Sequence, residues 1–290
     1  MTNAGNFGEA LLMGSAALSL ASCALAVYLI YKVRQIHVTL YGTDLEVRKV
    51  SLGVTRNLQL MDQLSHELAL DRPLPPLRGW VASPDVLLLL ARRIRQTAPL
   101  TIVECGSGVS TIVQAQAAKL NGRGHVYAID HDAEFAEQTR QALEEYGLAD
   151  WATVTHAPLS KCRIDDTEWD WYELRSLPNV APIDQLFVDG PPADLPCPLA
   201  RYPAGPMLFP RLAPGASVFV DDAARPGETE VLRRWAVEFA DLGQLRHYCE
   251  KGCFELRPLL SRLGVHDRNL PSNTDDLRTL SVDTSVPISS

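Results

Sequence analysis

A glutamate closing a short apolar run, two closely spaced glycines and an aspartate further along form the arrangement in this chain best suited to holding a small molecule. Thr101, Ile102 and Val103 are β-branched and apolar, and the run stops at Glu104. Cys105, Gly106, Ser107 and Gly108 follow as a tight turn of small residues, and Ser110 and Thr111 lead into a stretch of helical composition over 112–120. Asn121, Gly122, Arg123 and Gly124 break that helix, and 125–129 reads as a second strand ending on Asp130. Glycines after a first strand let the backbone approach a ligand closely, and the helix start offers unpaired N–H groups. An acid closing the second strand accepts hydrogen bonds from a ribose diol. The unit is therefore expected to bind a nucleoside-containing cofactor, the alternative being a glycine turn that binds nothing.

A dinucleotide site carries a third glycine where helix packs on strand, and none stands after Gly108. Glu104 would also place negative charge against a pyrophosphate, which disfavours an NAD-dependent dehydrogenase. The acid-x-Gly-x-Gly pattern of Glu104, Gly106 and Gly108 resembles motif I of the class I S-adenosylmethionine-dependent methyltransferases. That resemblance implies a Rossmann-like seven-stranded α/β sheet with helices on both faces. It implies that Glu104, Gly106, Ser107 and Gly108 hold the methionine end, with Ser110 in the cofactor-binding set and Asp130 on the ribose. His131 and Ala157, which follow the second and third strands, are implied as cofactor wall.

The remaining chain alternates between strands and helices. A helix from 86 to about 96 opens after Ser83 and Pro84, another covers 133–146, and strands are expected at 151–155, 183–188 and 216–220. A helix is expected to end over 208–212 and another to cover 229–239. A final hairpin is expected to turn at Glu250, Lys251 and Gly252, and 160–182 reads as irregular. Such alternation gives a parallel sheet with ligands at the carboxyl ends of its strands. Glu104, Asp130, Asp189, Asp221 and Asp222 all fall at such ends.

Asp189-Gly190-Pro191-Pro192 is not the Asp-Pro-Pro-aromatic motif of the amino-group DNA methyltransferases, because a glycine intervenes and Ala193 stands where the stacking ring would be. A net charge of −8 also speaks against a nucleic-acid partner. Asp189, Asp221 and Asp222 are similar instead to the metal trio of the catechol and caffeoyl-CoA type O-methyltransferases. That resemblance implies Asp189 as a catalytic residue, also in the cofactor-binding set, orienting a small-molecule acceptor through Mg²⁺ or Ca²⁺. The chain departs from the pattern at Pro192, where the catechol type has a lysine. The alternative for the acid pair is capping of the next helix.

Residues 10–31 carry no charged side chain, enough for a helix crossing a bilayer. A secretory signal lacks its positive n-region here, and the apolar run continues past the lipoprotein-like Leu20-Ala21-Ser22-Cys23. An uncleaved anchor is the reading adopted. Lys32, Arg34, Arg48 and Lys49 follow it, so the bulk of the chain is expected in the cytoplasm. Beyond it, Val33, Leu40, Val47, Val54, Met61 and Leu68, with Ile36, Thr43, Val50, Asn57 and Leu64, repeat every seven residues. This is a helical stalk that either self-associates, with Asn57 setting register, or lies on the domain or membrane as a single amphipathic helix.

The expected organisation is an N-terminal tail over 1–9, a transmembrane helix over 10–31, a stalk over 32–70 and a linker over 71–78. The catalytic domain covers 79–260, with Trp80 as a candidate pocket wall, and 261–290 is a polar disordered tail. The six cysteines show no zinc or secreted-disulfide spacing; Cys249 and Cys253, spaced so that a hairpin could bring them together, are expected as reduced core thiols. The function expected is methyl transfer to oxygen at a small or membrane-proximal acceptor. A membrane-anchored scaffold with the same fold and no chemistry is the second reading.

Overall fold

Alternating side chains along the central strands decide the architecture. In β1 (Thr101–Cys105), Ile102 faces one side of the sheet while Val103 and Cys105 face the other. Phe187 opposes Leu186 and Val188 in β6 (Ile183–Val188), and Phe219 opposes Val218 and Val220 in β7 (Leu212–Val220). Strands apolar on both faces need a layer on each. The computed structural model, described for residues 3–75, 81–176, 182–192 and 197–259, supplies both.

With β2 (His125–Asp130), β3 (Ala152–His156), β8 (Leu242–His247) and β9 (Cys253–Pro258), a seven-stranded sheet forms in the order β3-β2-β1-β6-β7-β9-β8. The first five run parallel, and β9 is antiparallel to both of its neighbours. This mixed sheet is the one expected, terminal hairpin included. One face carries α2 (Pro84–Thr97), α3 (Val109–Asn121) and α4 (Ala133–Glu145); the other carries α5 (Ala204–Leu208) and α6 (Pro226–Glu238).

Two expectations need correction. Residues 160–182 are not irregular throughout: β4 (Leu159–Ile164) and β5 (Thr167–Tyr172) pair as a separate antiparallel hairpin. Trp169 and Trp171 alternate onto the core side, while Lys161 bonds Asp170 across the strands at 2.9 Å. The helix expected to end at Leu212 instead ends at Leu208, and Leu212 already begins β7.

The segments expected as anchor and stalk form one helix, α1 (Asn3–Glu67), roughly 100 Å long at 1.5 Å per residue. Its base is part of the domain. Leu64 and Leu68 are fully buried in the cluster shared with α2, and Arg92 donates to Glu67 at 2.6 Å. Asn57, read as a register-setting residue, donates to Glu250 of the final hairpin instead. Farther out, Val33, Ile36, Leu40, Val47, Val50 and Val54 are exposed. One described helix is thus long and apolar enough to cross a membrane. The assignments for Trp80, 177–181, Ala193 and 261–290 lie outside the described residues.

Candidate active site

The carboxyl ends of β1, β2 and β6 open into a cavity of about 680 Å³. Its floor is the turn from Gly106 to Gly108, together with Val109 and Ser110 at the start of α3. Gly106 has φ +102°, and a Cβ there would stand 3.6 Å from the Asp189 backbone, so the turn lies directly against the end of β6. The left-handed conformation suits glycine. Gly106 N–H donates to Ile129 O at 2.8 Å, and Asp189 N–H to Cys105 O at 3.0 Å, tying the three strand ends together.

Asp130 lines the cavity with its carboxylate already organised. Ser107 Oγ donates to Oδ2 at 2.6 Å, the Asp132 amide donates to Oδ1 at 3.0 Å, and His131 Nδ1 lies 3.5 Å from Oδ1. Burial alone would raise the pKa of this group. The bonds from His131, Ser107 and the Asp132 amide outweigh burial and hold it below the ordinary carboxylate value. It is therefore an ionised acceptor at neutral pH, as a ribose diol requires. Thr139 of α4 supports Ser107 from behind, with the hydroxyls 3.2 Å apart.

Glu104, expected at the methionine end, does not line the cavity. It is buried on the α3 side of β1, takes bonds from Ser110 Oγ and from Thr111 Oγ1 (2.8 Å), and is absent from the cavity lining. Thr111 Oγ1 in turn accepts from Gly108 N–H at 3.1 Å. Glu104 thus clamps the glycine turn to the helix start. Thr111 also occupies the position of a dinucleotide fold's third glycine, filling the space where that helix would close on its strand. Burial pushes the Glu104 carboxyl up to about 7. Ala157, expected as cofactor wall, is fully buried outside the lining, where its N–H donates to Asp130 O at 2.7 Å. His131 does line the cavity.

Asp189, Asp221 and Asp222 do come together, and the cation among them is a guanidinium. Arg201 Nη2 donates to Asp189 O at 3.1 Å, Asp189 Oδ1 at 3.3 Å and Asp222 Oδ2 at 3.0 Å; Nη1 donates to Asp221 O at 2.8 Å. Glu228 Oε1 lies 3.7 Å from Nε. Only Asp189 of the trio lines the cavity. Arg201 supplies the cation that faces these carboxyls, and no group of side chains able to hold a metal occurs among the described residues. The metal expectation thus has no support in the described residues. Burial, with Asp221 and Asp222 nearby and Arg201 only partly compensating, drives the Asp189 carboxyl well above the ordinary carboxylate range.

Tyr172, at the end of β5, escaped the sequence reading because its segment was taken as irregular; the alternation Trp169, Trp171 was the available signal. Tyr172 lines the cavity, and its hydroxyl is buried with no partner among the described residues. A Cβ on Gly190 would fall 2.2 Å from that oxygen, so Gly190 is the residue that admits it. Burial raises the phenol's pKa well above its ordinary value. Tyr172 is therefore available as a hydrogen-bond donor.

A family model described as a methyltransferase domain matches residues 103–223. The protein-L-isoaspartate O-methyltransferase of Hyperthermus butylicus is 29% identical over 174 residues, 57% of this chain and 66% of that protein. That of Methanococcoides burtonii is 29% identical over 163 residues, 54% of this chain and 71% of its own. Among solved structures, an O-methyltransferase from Bacillus cereus in complex with S-adenosylhomocysteine is similar with a TM-score of 0.48 and 17% identity, covering 69% of this chain and 91% of that one. The matched region spans the glycine turn, Asp130 and the ends of β6 and β7, so over that stretch the chain is similar to a methyltransferase domain.

Proposed function

We propose that this protein methylates an oxygen atom of a small or membrane-proximal acceptor, using S-adenosylmethionine, while α1 tethers it to a membrane with the domain on the cytoplasmic side. The observation that carries the reading is the preorganised Asp130 carboxylate, bonded by Ser107, beside the glycine turn in one cavity. When bound, S-adenosylmethionine supplies an electrophilic methyl group on a sulfonium centre. Asp130 takes the ribose hydroxyls, and the N–H groups at the start of α3 face the cofactor. Tyr172 donates from its unpartnered hydroxyl. Holding the two reactants in line is the main service such a site performs.

The proton inventory bears on the acceptor. Burial raises both the Asp189 carboxyl and the Tyr172 phenol above their ordinary values, which disfavours either as an ionised base for an alcohol. A carboxylate acceptor is already a nucleophile and needs no base. This supports a carboxylate over a metal-chelated vicinal diol, and the relatives named for L-isoaspartate accord with it. The exposed stripe from Val33 to Val54 supports self-association through the stalk, which sedimentation in detergent tests directly. The acceptor is tested by transfer of labelled methyl from S-adenosylmethionine, with an isoaspartyl peptide and a catechol offered in parallel. Label on the peptide alone supports the carboxylate reading; label on the catechol alone refutes it.

A further inference from the structure

One side chain, Arg201, meets the carboxyls of Asp189 and Asp222 and the main-chain carbonyl of Asp221. Arg201 is buried, with 3% of its side chain exposed, in the turn ahead of α5. It bonds the carbonyls of both Asp189 and Asp221, the residues directly after β6 and β7, and thereby locks two neighbouring strand ends together. Its guanidinium also faces the carboxyls of Asp189, Asp222 and Glu228, and Arg225 reaches Asp222 Oδ2 from the outside at 3.1 Å. Buried aromatics fix the segment that carries it. Trp235 Nε1 donates to Tyr202 O at 3.1 Å, the Tyr202 ring packs on Trp169 at 4.7 Å, and Tyr202 Oη donates to Glu238. A planar, permanently charged fork held this way is a fixed cation.

We propose that Arg201 is a built-in substitute for a divalent metal: it organises the acids at the ends of β6 and β7, so cofactor binding is independent of divalent cations, and its removal would convert the same acids into a metal site. Taking one partner from a buried ion cluster leaves charges uncompensated, which a divalent cation would then relieve. The inference concerns the acid cluster and stands whether or not the domain proves active.

The test uses the full-length chain in detergent. Mn²⁺ binding is followed by paramagnetic resonance, and S-adenosylhomocysteine binding by calorimetry in EDTA and in Mg²⁺. For the native chain we expect no stoichiometric Mn²⁺ and an affinity for S-adenosylhomocysteine unchanged within about two-fold between the two conditions. Arg201→Ala should lose thermal stability and regain several degrees, about 4 °C or more, on addition of Mn²⁺, whereas Arg201→Lys should stay indifferent to the metal. Stoichiometric Mn²⁺ on the native chain that disappears in Asp221→Asn would overturn the proposal. So would a folded Arg201→Ala variant with native stability and no response to Mn²⁺. If Arg201→Ala does not fold, the native arm still decides. Absence of S-adenosylhomocysteine binding in every condition would count against the methyltransferase reading and leave the Mn²⁺ result to judge Arg201 by itself.

Discussion

Replacing Glu104 with Gln isolates the electrostatic cost of clamping the glycine turn with a buried acid. The carboxyl lies beneath α3 with Ser110 and Thr111 as its close hydrogen-bond donors and Gln114 facing it more weakly, and burial raises its pKa to about 7. The folded state therefore holds the Glu104 proton more tightly than the unfolded chain, where the ordinary value is 4.5. Below that ordinary value the group costs nothing. As pH rises toward and past 7, the native state must either keep a proton that solvent would take or bury a charge, and stability falls. Two to three pH units of difference correspond to about 3 kcal/mol, fully expressed above pH ~8. Glutamine keeps an oxygen for one hydroxyl and cannot ionise. Urea unfolding of the full-length chain in detergent should therefore show the Gln variant gaining on the native protein between pH ~5 and ~8.5, by about 3 kcal/mol at the upper end. Parallel stability profiles for the two proteins would refute the argument, since they would mean that Glu104 ionises inside the fold at no net cost.

The other predictions concern the cavity and the base of α1. Tyr172→Phe removes a buried hydroxyl with no partner among the described residues, so the unliganded chain should melt at or slightly above the native temperature. Affinity for S-adenosylhomocysteine should fall about five- to ten-fold by calorimetry. Lower thermal stability with unchanged affinity would instead make the hydroxyl structural. Leu64→Ala should destabilise the domain by about 2–5 kcal/mol, because Leu64 is fully buried against α2, while Val47→Ala on the exposed stripe should shift stability by less than about 0.5 kcal/mol. Thermal melts in detergent compare the pair, and equal effects would contradict the division of α1 into a docked base and a free upper part.

The sheet was legible because its signals are local. Strand alternation, the Gly106 and Gly108 turn and the acids closing successive strands are all written in short windows, and the described fold has each of them at the carboxyl edge. Side-chain direction was not legible. Glu104 and Asp130 each close a strand, yet the pleat sends Glu104 under α3 and leaves Asp130 on the cavity. Arg201 lay in a segment without a periodic pattern, and nothing local shows that its turn folds back over two strand ends. The acid trio was correctly brought together, but its counter-ion comes from a residue whose position depends on the packing of Tyr202, Trp169 and Trp235. The heptad pattern likewise had two physical uses, and the base of α1 takes the intramolecular one at Met61, Leu64 and Leu68.

Calorimetric titration of the full-length chain in detergent with S-adenosylhomocysteine, beside an Asp130→Ala variant of equal thermal stability, tests the central claim most directly. The account predicts one site per chain of about micromolar affinity, weakened at least about a hundred-fold when the carboxylate is removed. Absence of heat from the folded native chain, or equal affinity in the variant, would contradict it.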